Sequence, residues 1–447
     1  MDARPAGGRS GPAPASAREI LALAVPALGA LAAEPLYVLV DTAIVGHLGT
    51  PQLGGLGIAS TILLTSASIF VFLAYGTTGS VARRLGAGDH AGAAHLAVQG
   101  LWLALGLALV VGTALLVAGP TLIRWLGGEG DVARHAGVYL SISLAGLPAL
   151  FVTMAGTGYL RGVQDTRTPL VVAATTAVAN LVIQVVLIEG FDRGIGASAL
   201  ATVLAQTGGA AEYLRRIVRA ARATGASLRP DAGALRRLGR IGFDLFVRTA
   251  ALRLSLVAAT AVAARAGEVP LGGHQIAFEV WAFLALALDA LAIAAQALVA
   301  RDLGADVPDR ARATAARLLR WGTTFGVATG LVIAALRVPL AGLFSPDAEV
   351  VAVATTLLLW VAVLQPVAGA VFALDGVLIG AGDFRFLARA MAVVAIAFVV
   401  AAAAVGAADR PITWLWAAWA GLMLGRLVPL LARLRGGRWA VTGVEPP

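Results

Sequence analysis

Apolar runs of helical length succeed one another along the whole chain, separated by short polar gaps where Arg, Gly, Asp and Pro collect. They fall at 18–46, 55–82, 94–118, 133–157, 168–188 and 194–220, and then at 236–264, 271–300, 313–336, 350–376, 384–405 and 411–433. Each is near or above the ~20 residues that a helix needs to cross a ~30 Å hydrocarbon core. Spanning strands would instead alternate apolar and polar residues over ~10 positions, and these runs are continuous. Backbone groups in lipid must satisfy one another, so the pattern predicts an all-α polytopic membrane protein with twelve transmembrane helices.

The pattern also repeats. A shift of 218 residues lays "HLGTPQLGGLGIA" (47–59) on "RAGEVPLGGHQIA" (265–277) and "VARRLGAGDHAGA" (81–93) on "VARDLGADVPDRA" (299–311). Pro148, Gly162 and Asp165 fall on Pro366, Gly380 and Asp383 without a gap. Generic apolar similarity does not hold loop glycines and an aspartate in register, so the chain reads as a duplication. Six crossings per copy return the second half in the same orientation, giving two parallel-repeat six-helix lobes. The predicted plan is a disordered N-terminus over 1–17, an N-lobe over 18–220, a basic linker over 221–235, a C-lobe over 236–433 and a tail over 434–447.

Composition sharpens this picture. Only 13% of residues are charged, against about 25% in ordinary soluble domains, and the mean hydropathy is +0.85. The formal charge of +9 is carried by arginine alone. With the N-terminus inside, 25 arginines fall in inner segments and 6 in outer ones (Arg124, Arg134, Arg193, Arg265, Arg337 and Arg410). That is the positive-inside bias, and it predicts a multi-pass protein of the cell membrane with both termini cytoplasmic, not a nucleic-acid binder. No Cys means no disulfide or thiolate metal site, and no Lys means no Walker A motif. HExxH and GxSxG are absent as well. The expectation is a protein that is not an enzyme, uses no cofactor or metal, and acts as a monomer.

An ionisable group in a spanning helix is costly and therefore a functional candidate, with a packing pair as its structural alternative. Glu34 and Asp41 stand seven residues apart on one face of the first helix, with Tyr37 between them. Asn180 and Gln184 share a face of the fifth, and Thr202 and Gln206 a face of the sixth; the first three would hydrogen-bond a carboxylate whose proton comes and goes, and Gln206 reads as interhelical polar packing. The cluster is not inherited symmetry, because Asp41 lies over Ala259 and Asn180 over Phe398 in the repeat. The C-lobe has its own set, Glu279, Asp289 and Asp375 with Arg248 and Arg253; Arg253 is the expected partner of Asp289 or Glu279. Tyr37, Phe70, Tyr75 and Trp281 are aromatic candidates for a cavity wall.

The stretch "PLYVLVDTAIVGHLG" resembles the first-helix signature of the multidrug and toxic compound extrusion (MATE) family, in its DNA-damage-inducible F (DinF-like) branch. "LRGVQDTRTPL", "GASALATVLAQ", "LGGHQIAFEVWAFLALALDALAIAAQALVARDLGA" and "LDGVLIGAG" resemble family segments in the expected order, over nearly the whole chain. The resemblance implies a V-shaped fold of two lobes and export of amphipathic, often cationic, compounds by alternating access. The energy would come from inward movement of protons, or less readily sodium. It implies that Asp41 is the cation-coupling acid, with Asn180 and Thr202 as its polar neighbours, and that Asp289 and Asp375 are C-lobe acids. Three positions depart from the pattern: Gln184 and Gln296 replace acids found in relatives, and Glu34 is unusual, which makes it a candidate substitute for the acid missing at Gln184. A lipid-linked precursor flippase with a basic cavity at Arg248 and Arg253 is the alternative, and a membrane-embedded transferase a more distant one.

Overall fold

The structure, a computed structural model, describes residues 13–189 and 194–445. Most of the segment read as disordered, residues 1–12, lies outside them. The described chain forms fourteen helices: α1 (Ala17–Gly46), α2 (Thr50–Ile69), α3 (Phe72–Gly86), α4 (His90–Trp125), α5 (Gly130–Leu144), α6 (Leu147–Gly162), α7 (Arg167–Glu189), α8 (Ile195–Thr224), α9 (Ala232–Arg265), α10 (Glu268–Gly304), α11 (Pro308–Phe344), α12 (Ala348–Gly380), α13 (Phe384–Ala407) and α14 (Ile412–Arg435). Polar caps set several starts. Ser16 and Glu19 form a reciprocal capping box on α1, and Asp231 and Asp347 accept the first free N–H groups of α9 and α12.

The 218-residue offset recurs in the helix boundaries. α2 and α3 together cover 50–86 where α10 covers 268–304, and α5 and α6 cover 130–162 where α12 covers 348–380. The left-handed turns before α2 and α10 match too, with φ of 129° at Gly49 and 114° at Gly267, a conformation that glycine adopts without penalty. Two spans are broken in the first copy only. α5 and α6 meet at a 53° bend just before Pro148, and Gly146 stands there where the second copy has Leu364. Pro366 lies inside the continuous α12.

Among the described residues ten helical stretches are long and apolar enough to cross a membrane, and the bent α5–α6 pair makes an eleventh. The twelfth is α8, too polar to register by hydropathy yet occupying the place in the first repeat that α14 holds in the second. The inter-lobe connection is shorter than expected, 225–231, because α8 runs on to Thr224 and α9 begins at Ala232. Gln99 of α4 ties it down, donating to Arg229 O (2.9 Å) and accepting from Asp231 N (2.8 Å).

The lobes join at one end, the base of the V, where both described chain ends lie. The buried Arg83 guanidinium crosses the junction to Ala381 O (2.7 Å) and Gly443 O (3.1 Å). The N-terminal segment reaches the C-lobe through Ala15 N to Thr314 Oγ1 (3.0 Å) and Arg317 Nη1 to Ala15 O (2.6 Å). Glu19 stands 3.6 Å from both Arg301 and Arg310. Away from this base the lobes diverge towards a mouth.

Candidate functional site

In the N-lobe, α1 and α7 run parallel and α8 antiparallel to both, so residues one turn apart on the three helices form two successive rungs. The rung nearer the base joins Tyr37, Asn180 and Thr202; the rung nearer the mouth joins Asp41, Gln184 and Ser198. A helical turn of four residues separates them by about 6 Å. The α1–α7 register is the same in both, a sequence separation of 143.

In the mouth-side rung, Asp41 Oδ1 accepts from Gln184 Nε2 and from Ser198 Oγ, each at 2.7 Å. Asp41 is only 5% exposed, and Tyr139 of α5 closes over the same carboxylate. The other amide atom, Gln184 Oε1, is buried with no hydrogen-bond partner. In the base-side rung, Thr202 spends its one proton on Ser198 O (3.1 Å), so Tyr37 must donate to Thr202 Oγ1 across their 2.6 Å contact. Asn180 Nδ2 donates to the same hydroxyl at 3.1 Å.

This arrangement revises the expected contacts. Asn180 and Thr202 touch Tyr37, not Asp41; from α7 and α8 the residues that bond Asp41 are Gln184 and the unforeseen Ser198. The side chain of Glu34 lies outside the described residues. Tyr37, Asp41, Asn180 and Thr202 form part of the wall of an N-lobe cavity of about 570 Å³, bounded by α1–α3 and α5–α8. Of the aromatic candidates, Tyr37 and Tyr75 line it. Phe70 packs against Phe151, and Trp281 is buried edge-on to Trp419 in the C-lobe.

The C-lobe acids do not converge. Asp375 Oδ2 accepts from Arg248 Nη2 of α9 and Arg426 Nη2 of α14, both at 2.6 Å, in a buried triad. Arg253 is exposed and, among the described residues, pairs with neither Asp289 nor Glu279. The reason is helical geometry: five residues place Arg253 about 140° round α9 from Arg248, facing away from α12 and α14. Glu279 is exposed, and Asp289 is half-buried beyond ion-pair distance of any described cation. The two basic residues that favoured a flippase thus do not form a common basic cavity. Asp375→Asn would leave two buried guanidiniums without a counter-charge, an expected cost of about 3 to 5 kcal/mol. A thermal melt of the purified protein should show a clear drop for this variant and almost none for Arg253→Gln. Equal melting of the two would remove the triad's structural role.

Two membrane-embedded lobes joined at one end, with a buried acid in the wall of an internal cavity, define a polytopic membrane transporter. The chain belongs to the MatE family, which it matches over residues 26–186 and again over 245–405, one match in each repeat. DETOXIFICATION 44, a chloroplastic protein of Arabidopsis thaliana, is 31% identical over 96% of this chain and 84% of its own length. DNA damage-inducible protein F of Escherichia coli K12 is 28% identical over 84% and 83%. A crystal structure of a MATE protein in its bent conformation superposes with a TM-score of 0.85 at 20% identity, covering 95% of each chain, so the fold is shared.

Proposed function

We propose that the protein is a secondary antiporter that exports amphipathic organic compounds, cations among them, in exchange for protons, with sodium the less favoured ion. Membership of a transporter family supports the general activity, and relatives bearing the name multidrug resistance protein, from Thermotoga maritima and others, support the substrate breadth. The observation that carries the coupling step is the Asp41 rung. When ionised, Asp41 accepts from Gln184 and Ser198. When protonated, it has a hydrogen to give, and the orphan Oε1 of Gln184 becomes its acceptor if the amide turns over. One rung therefore accommodates both protonation states without moving a helix. Sodium would need several converging oxygens, and this rung offers Asp41 mainly hydrogen donors.

In this reading the Arg-rich base faces the cytoplasm of a cell membrane, following the positive-inside bias, and the mouth faces out. A single chain works by alternating between this base-closed arrangement and its converse, and an ion that binds one arrangement better supplies the drive. No cofactor takes part. The test is efflux of a cationic dye from proteoliposomes under an imposed proton gradient and then a sodium gradient. Proton-driven efflux with little sodium response is expected. Efflux that follows sodium alone overturns the ion assignment, and no movement under either gradient by folded protein overturns the antiporter.

A further inference from the structure

The N-lobe cavity has a second charged group that the coupling step does not use. Arg161 stands one residue from the base end of α6, is 7% exposed and lines the cavity. Among the described residues its guanidinium makes no hydrogen bond and no ion pair. Asp289 of the other lobe is a carboxylate whose charge reaches it, from beyond ion-pair distance. A guanidinium carries five N–H donors and no acceptor, and in a membrane interior it is costly unless an anion or water takes them up.

Its neighbours in the cavity floor also have protons to give. Thr157 Oγ1 donates to Tyr213 Oη at 3.1 Å, which leaves the Tyr213 phenol proton available, and Tyr75 lines the same region. Asp41 lies five residues from the mouth end of α1. The cavity is therefore bipolar: an acid towards the mouth, apolar walls, and a floor that presents a guanidinium and hydroxyl donors.

We propose that Arg161, with Tyr213 and Tyr75, forms an oxyanion subsite at the floor of the cavity, which takes the carboxylate or phosphate group of an amphipathic substrate. A planar guanidinium matches either group with two parallel hydrogen bonds. Zwitterions whose basic end reaches towards Asp41 then satisfy both poles, and the substrate range extends beyond cations. The inference rests on the transporter reading of this cavity.

The test is equilibrium binding of matched naphthalene probes to the purified full-length protein: 1-naphthylmethylammonium, 1-naphthylacetate and 1-naphthylalanine, with dioctanoyl phosphatidate as the lipid form of the anion. Arg161→Gln is expected to lower the ratio of anion to cation affinity by about tenfold or more, the scale of a lost charge-assisted pair, with Arg161→Lys recovering part of it. Naphthylacetate or phosphatidate showing the larger drop identifies a soluble or a lipid source. If Arg161→Gln fails to fold, Tyr213→Phe, which keeps the ring and removes the donor, is expected to lower the same ratio a few-fold. An unchanged ratio in folded variants, or no anion binding by the wild type, overturns the subsite. Charge-selective binding without transport under either gradient would sink the antiporter and leave the subsite. Dye efflux with no selective loss in the Arg161 variants would do the reverse.

Discussion

Asp41→Asn is expected to abolish gradient-driven efflux in folded protein. The substitution is nearly isosteric, and an Asn oxygen still accepts from Gln184 Nε2 and Ser198 Oγ, the two contacts that hold Asp41 at 2.7 Å. What it removes is the ability to gain and lose charge, so the coupling ion no longer favours one lobe arrangement over the other. A coupling free energy of a few kcal/mol corresponds to roughly a hundredfold in rate or affinity, and a loss of about that size in initial efflux rate is the expected reading. Ser198→Ala removes one hydrogen bond but not the titration, so it should slow efflux only a few-fold. Asp41→Asn protein that pumps at the wild-type rate, with the same response to the gradient, would remove Asp41 from the coupling step.

The rung also gives the neutral Gln184 a role at the position where the family resemblance implies an acid. An acid there would stand as a second negative charge beside Asp41. The amide is instead a neutral group that serves as donor to the carboxylate or acceptor for the acid. A single titrating site within the rung follows.

How much of this was legible in the sequence depends on whether the signal lies along one helix or between helices. Positions 37 and 41, and 180 and 184, are one turn apart, so their shared faces follow from helical spacing alone. The 143-residue register that sets Gln184, and not Asn180, against Asp41 is a property of how α1 packs on α7, and no single-helix pattern encodes it. Ser198 was missed because serine is unremarkable in a polar-flecked helix, although it lies one turn from Thr202 on the same face. Arg426 was missed because it sits just short of the basic end of α14, near Arg433 and Arg435, where a snorkelling reading is natural. Arg253 was expected to pair with Asp289 or Glu279, and the helical angle that separates it from Arg248 turns it outward instead. The 218-residue duplication was fully legible because it is written in turns. The two helix breaks were not, since only Gly146 beside Pro148 distinguishes the bent span from its straight counterpart.

Turns and glycines also set the junction between the lobes, and Gly304→Val is expected to force it open. A Cβ at Gly304 would lie 1.9 Å from Arg83 O, and one at Gly86 would lie 2.1 Å from Arg301 O. The two glycines are 218 residues apart and so are the two arginines, so α3 and α10 meet through the same contact used twice. In each case the obstructing atom is a backbone carbonyl, which has no rotamer to yield, so only separation of the helices relieves the clash. That separation also pulls Arg83 from Ala381 O on the opposite lobe and from Gly443 O in the C-terminal tail, so the effect spreads across the base instead of stopping at one residue. The chain has no cysteine, which allows spin labels on introduced cysteines at Ala91 and Asp309, exposed and repeat-related positions at the starts of α4 and α11. The label distance should lengthen by several ångströms in Gly304→Val and less in Gly304→Ala, with efflux lost in parallel, because a transporter that cannot seal its base cannot complete the cycle. An unchanged distance in folded Gly304→Val would mean that the lobes close through side chains and not through this glycine contact.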